Sequence, residues 1–135
     1  MSAEFLDTNV ILYLLDDGPK VEIAERLIAT GAMISVQVLN ETLVNCIRKA
    51  GLSYDEANDF LHGIRAICPV VPLTLETHDL GCALAERYGF SVYDAMIVAT
   101  ALQNHCTTLY SEDMHHGLLV EGYLRIVNPF KELSS

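Results

Sequence analysis

Basic residues are scarce in this chain. Eight Lys and Arg face eighteen Asp and Glu, for a net charge of −10 and a pI of about 4.7. They are scattered from Lys20 to Lys131 and form no cluster. This excludes a general nucleic-acid binder of the usual kind, which presents a basic face. If the chain handles nucleic acid, its acidity needs a reason, and a set of cation-binding carboxylates would supply part of one. Long apolar runs are also missing. The runs at 10–15 and 95–102 are too short to span a bilayer. Residues 1–7 hold two acids and no base, so no export signal is expected there, and the reading is a soluble cytoplasmic protein.

The cysteines Cys46, Cys68, Cys82 and Cys106 include no CxxC pair, and no cysteine–histidine ligand pair is expected. Reduced core thiols are the expectation rather than zinc. His115 and His116 are adjacent, cannot share a helical face, and read as a surface loop. No G-x-x-x-x-G-K-[ST] phosphate loop occurs. Neither a Ser–His–Asp nor a Cys–His arrangement suggests itself. There is no internal repeat, low-complexity stretch or linker.

What is present is a 135-residue chain, 51% hydrophobic, enough for one core and one domain over 1–135. Strand-like and helical patterns alternate, which predicts an α/β architecture. A strand is expected over 4–6, a short helix over 9–15, and a turn at Asp16-Asp17-Gly18-Pro19. A helix over 21–29 ends at Gly31, and a short strand follows over 32–34. Ser35 caps a helix over 36–50 with an apolar stripe of Val36, Leu39, Leu43, Ile47 and Ala50. Ser53 and Glu56 form a capping box for a helix to Ile67. A strand over 70–73, a helix from Thr74 to Tyr88 and the most apolar helix over 92–103 follow. A buried strand over 107–110, a polar loop over 112–117, an edge strand over 124–127 and a frayed tail complete the chain.

Four acids fall at or beside element ends. Asp7 ends the first strand, Asp94 lies in the first turn of the most apolar helix, Asp113 follows the strand over 107–110, and Glu41 lies on the third helix. In a parallel sheet, residues beyond the strand carboxyl ends gather on one edge, where ligands bind. Each acid also has an ordinary explanation. Asp7 can cap a helix, and Asp94 can complete a near capping box behind Ser91. Glu41 projects about 140° from Val36, beside Asn45 and Arg48, where a solvated acid is at home. Asp113 sits in a loop. Their joint placement favours a shared site.

Phe5-Leu6-Asp7-Thr8-Asn9 resembles the opening motif of PIN-domain nucleases. Ser91-Val92-Tyr93-Asp94-Ala95 resembles their third acidic motif, and Leu109-Tyr110-Ser111-Glu112-Asp113 the fourth. Glu41, in Val38-Leu39-Asn40-Glu41, falls where the family's second acid is expected. The likeness runs over about 4–130, and the length is similar to that of the compact VapC toxins. The resemblance implies a three-layer fold with a mostly parallel central sheet flanked by helices. It implies a metal-dependent ribonuclease using Mg²⁺ or Mn²⁺, with Asp7 and Asp94 as the main ligands. Glu41 and Asp113 would complete the acidic cluster, while Thr8, Asn9 and Ser111 orient carboxylates or substrate. Glu112 is expected to face solvent. The resemblance further implies a cognate VapB-type antitoxin and a homodimer. Hard carboxylate oxygens suit Mg²⁺, and two-metal hydrolysis needs no protein nucleophile.

Other readings fit less well. A haloacid-dehalogenase-like phosphatase needs a second Asp two residues after the first, where this chain has Asn9. A receiver domain needs paired acids in its first loop, and Asp16-Asp17 come after a helix. A PIN nuclease of general RNA processing, or a catalytically silent PIN binding module, remain as alternatives. Loss of an acid would favour the silent module, but all four are present.

Overall fold

Three parallel strands rich in β-branched, aromatic and leucine residues form the centre of the molecule. The computed structural model describes residues 3–131, so the first two and last four residues of the domain expected over 1–135 lie outside it. β1 (Ala3–Leu6) pairs in parallel with β4 (Cys106–Tyr110), and β4 pairs in parallel with β6 (Leu124–Val127). β5 (Leu119–Val120) closes the edge antiparallel to β6. On the other side β2 (Ile34–Ser35) and β3 (Val70–Val71) pair in parallel. Met33 bridges to Phe5 through Leu6 N–H to Met33 O at 3.0 Å and Met33 N–H to Glu4 O at 2.8 Å, joining the two sheets.

The helices are α1 (Thr8–Leu12), continued by a 3₁₀ turn over Tyr13–Leu15, α2 (Lys20–Ala29), α3 (Val36–Arg48), α4 (Tyr54–Ile67), α5 (Leu75–Tyr88) and α6 (Val92–Gln103). They flank the mostly parallel sheet, as expected. Ser35, Ser53, Thr74 and Ser91 cap their helices through the side-chain oxygen. Each bond satisfies an amide that the helix start leaves unpaired. α6 buries every residue from Ala95 to Ala101, which suits a helix apolar all round. Gly81 on α5 faces α6 closely: a Cβ there would stand 2.6 Å from Met96 Sδ.

Several details depart from the sequence reading. The buried face of α3 is Val38, Thr42 and Cys46, whereas Val36 is 42% exposed. Thr42 hid this face in the pattern, since its hydroxyl donates to Val38 O at 2.7 Å and so enters the core satisfied. β6 is an interior strand, because the two-residue β5 forms the edge beyond it. Cys46, Cys68 and Cys106 are buried free thiols, but Cys82 is exposed, with its Sγ 3.6 Å from His78 Nε2 one helical turn back. His115 and His116 are exposed, as expected. The start of the expected frayed tail is in fact anchored. Phe130 is fully buried and meets the Tyr13 ring edge-on at 4.8 Å between centroids.

Phe130 therefore fastens this stretch to the 3₁₀ turn, while residues 132–135 of the expected tail lie outside the described residues. Phe130→Ala is expected to cost about 3–5 kcal/mol of stability, the range for emptying a buried aromatic site. Urea unfolding measures this, and a loss below about 1 kcal/mol would place the ring outside the core.

Candidate metal centre

The carboxyl end of β1 delivers Asp7 to the sheet edge. Its N–H donates to Tyr110 O at 3.0 Å, so β4 holds its backbone in extended geometry. Asp7 then caps α1, accepting from Thr8 N–H at 2.7 Å through Oδ1. Its Oδ2 accepts from the Ser111 hydroxyl, just past β4, also at 2.7 Å. Ser111 Oγ in turn accepts from the amides of Asp113 at 3.2 Å and Met114 at 3.3 Å. One serine thus ties the first strand's acid to the loop that carries the last.

The other acids arrive from three elements. Asp94 sits half-buried in the first turn of α6, its N–H donating to Ser91 Oγ at 3.2 Å. Glu41, on α3, accepts from Thr8 Oγ1 at 2.7 Å and from Gln37 Nε2 at 3.4 Å. Asp113 is exposed in the loop after β4, where Asn9 Nδ2 donates to its Oδ2 at 2.8 Å. Asp7, Glu41, Asp94 and Asp113 all line one open cleft of about 600 Å³. Asn9 and Thr8, expected to support the site, line it too, and Ser111 lies buried behind Asp7. Among the described residues, no three His, Cys, Asp or Glu side chains are gathered tightly enough to hold an ion as they stand. Closing on an ion requires the carboxylates to turn.

Crowding these charges has a cost. Burial pushes the Asp7 carboxyl up to about 6, although the Ser111 and Thr8 bonds pull it down; the charges of Asp94 and Glu41 raise it further. Asp94 is raised as well, chiefly by burial and then by Asp113 and Glu41. The ion pairs among the described residues are Lys20–Glu112 and Arg87–Glu121, so no cation is paired with any of the four acids. An all-oxygen set of uncompensated carboxylates fits a hard divalent cation.

Glu112 corrects an expectation. It does not face solvent freely but is half-buried, bonded to the Tyr13 hydroxyl and paired with Lys20. Burial raises its carboxyl, and the Lys20 and Tyr13 bonds together more than offset this, leaving it low. The cleft also takes in Gln37, Asn40, Asn45, Lys49 and Tyr93, none of them picked out as site residues from the sequence. The spacing of Gln37, Glu41 and Asn45 at successive helical turns was the available signal.

A model of the PIN domain matches residues 5–116. The chain belongs to the PIN domain family. No curated protein matches it by sequence. Among solved structures, this PIN domain is similar to a toxin–antitoxin complex from Klebsiella pneumoniae, with a TM-score of 0.72, 20% identity and coverage of 95% of this chain and 98% of that one. It is also similar to VapC20 of Mycobacterium tuberculosis, a toxin cleaving the sarcin–ricin loop, at TM-score 0.67 and 22% identity over 82% of this chain and 90% of that one. A third likeness is to DNA-bound VapBC from Salmonella typhimurium, at TM-score 0.69 and 18% identity over 93% and 97% of the two chains. At these identities the likeness is one of fold.

The raised Asp7 carboxyl makes a prediction about this PIN domain without metal. A carboxyl whose folded pKa lies above its unfolded value contributes most below the unfolded value, and that contribution is lost as pH rises through the folded one. Between pH 4 and pH 7, a shift from 3.8 to about 6 corresponds to a loss of roughly 2.5 kcal/mol. Asp7→Asn is expected to lack that part of the decline. Urea unfolding in chelator across this range compares the two proteins, and parallel curves would contradict the burial of an ionisable Asp7.

Proposed function

We propose that this PIN domain, as a single domain over the whole chain, is a metal-dependent endoribonuclease acting as the toxin of a toxin–antitoxin pair. The observation that carries the reading is the meeting of Asp7, Glu41, Asp94 and Asp113 in one cleft with no paired cation. Asp7 and Asp94 would be the principal holders of Mg²⁺ or Mn²⁺, with Glu41 and Asp113 joining directly or through water. Such an ion supplies Lewis-acid activation of a phosphodiester and of water. The chain's own residues orient the carboxylates. Ser111 holds Asp7, Thr8 holds Glu41 and Asn9 holds Asp113 at the cleft, and each carboxylate would turn from that position toward an ion.

RNA as substrate and an antitoxin as partner are supported by the fold shared with toxins and toxin–antitoxin complexes. A toxic nuclease needs restraint, and a VapB-type partner rich in Lys or Arg suits a chain of net charge −10. A partner Arg reaching the acids would bind them bidentately and compete with metal. Of the apolar runs over 10–15 and 21–28, Val10, Ile11 and Ala24 are fully buried, while Leu14 and Ile28 reach a groove where a partner helix could lie. That groove runs between α2 and α4, with Phe60 and Ile67 on its other wall. An amphipathic helix suits it. A homodimer and a cytoplasmic location complete the reading; among the described residues no helix is long and apolar enough to cross a membrane.

The test is cleavage of RNA by the purified chain with added Mg²⁺ or Mn²⁺. Asp7→Asn and Asp94→Asn are each expected to lower the rate roughly a hundredfold or more, the scale of losing a charge-stabilising group. Asp113→Ala is expected to cost more activity than Glu112→Ala. Metal is expected to raise the melting temperature of the wild type and not of Asp7→Asn. Metal-independent cleavage, or equal melting shifts in both proteins, would overturn the assignment. Co-expression with an antitoxin from a neighbouring short reading frame is expected to suppress cleavage, and excess Mg²⁺ to restore part of it.

A further inference from the structure

The cleft has two features that metal binding does not use. Tyr93 stands at its lip, 70% exposed, immediately before Asp94. Its ring and hydroxyl have no partner among the described residues; its carbonyl oxygen accepts from Gln37 Nε2 at 3.0 Å. Gln37 also reaches Glu41, so the same amide ties the aromatic lip to the acidic centre. Lys49 follows the last residue of α3 and is the basic side chain among those lining the cleft. It forms no ion pair with a described residue.

α3 forms the wall between these two groups. Gln37, which bonds the Tyr93 carbonyl, lies in its first turn and Lys49 just past its end, an axial span of about 18 Å along the helix at about 1.5 Å per residue. The exposed face between them carries Asn40, Val44 and Asn45 with Glu41. A second groove beyond Lys49 continues the trough past Asn45 and Leu12 to Tyr13. An exposed aromatic, neutral amides, an acidic centre and one free cation in sequence suit an extended strand. The aromatic face stacks an unpaired base, and the ammonium neutralises one phosphate.

We propose that the cleft binds single-stranded RNA with a nucleobase stacked on Tyr93 and a flanking phosphate held by Lys49. This rests on the nuclease reading above and names the substrate form and its two contact points. It also gives an acidic protein a way to hold RNA. Contact is local, at one ring and one cation, and repulsion from the rest of the surface keeps non-specific affinity low.

The test is fluorescence-anisotropy binding of a short labelled single-stranded RNA of mixed sequence to the Asp7→Asn chain with Mg²⁺, repeated on the wild type in chelator. Tyr93→Ala is expected to weaken binding by about fivefold or more, within the range for losing one stacked base. Tyr93→Phe is expected to keep affinity within about twofold, because the ring face is what the base needs. An abasic version of the RNA is expected to bind equally to Tyr93→Ala and its parent. Lys49→Ala is expected to reduce the slope of log affinity against log salt by about 0.7, one phosphate contact on a single strand. Melting curves and gel filtration of each variant accompany the titrations.

Unchanged RNA affinity in Tyr93→Ala, with the parent still binding, would overturn the stacking site and leave the nuclease reading intact. So would an effect of Tyr93→Ala confined to oligomeric state or antitoxin binding, which would make the ring a protein contact. An unaltered salt slope in Lys49→Ala would remove the phosphate contact. If the parent chain binds no RNA and the wild type cleaves none with metal, the nuclease reading itself has failed.

Discussion

A single hydroxyl holds the centre together. Ser111 donates to the buried Asp7 carboxylate at 2.7 Å while its own oxygen accepts the amides of Asp113 and Met114. That bond links the end of β1 to the end of β4, neighbours in the sheet but more than a hundred residues apart in sequence. It places a carboxylate where burial disfavours its charge, and it fixes the loop that presents Asp113. An unpaired charge in such a place is costly unless something compensates it. Here the compensation is partial: two hydrogen bonds and no cation, beside two further acids that raise its pKa. A divalent ion would relieve that repulsion.

The parts legible in the sequence were those written in local signals. Caps at Ser35, Ser53, Thr74 and Ser91 mark helix starts because the hydroxyl must lie within three residues of the amide it serves. Asp7 and Asp94 could be placed because each lies at such a boundary. Glu41 was located on its helix, yet its bond to Thr8 crosses from α1 and has no local signature. The pairing of Glu112 has no local signature for the same reason: its partners Tyr13 and Lys20 lie 99 and 92 residues away. The core face of α3 was hidden by Thr42 and Cys46, which count weakly in an apolar pattern. β5 is too short to show any alternation. Tyr93 sits inside a motif whose spacing says nothing of its exposure, which is a tertiary fact.

The low count of basic residues has a physical place in this account. Lys20 is committed to Glu112 and lies over the Tyr13 and Phe130 rings, where it braces the loop after β4. Arg87 is committed to Glu121 at the far end of the sheet. This leaves the cleft with four acids and Lys49. Such a surface has little general attraction for a phosphate backbone, so on the proposed reading a substrate would be held through metal and a few contacts. The same field draws a basic partner, which is how an acidic toxin would be found and held by its antitoxin.

The central claim is that Asp7 and Asp94 together hold a divalent ion. Crystals of the chain soaked in Mn²⁺, with anomalous diffraction recorded at the manganese edge, test it most directly. The account predicts an anomalous peak at coordinating distance from carboxylate oxygens of both Asp7 and Asp94, with Glu41 or Asp113 turned toward it. A peak elsewhere, or none while Asp7 keeps only its bonds to Ser111 and Thr8, would contradict it.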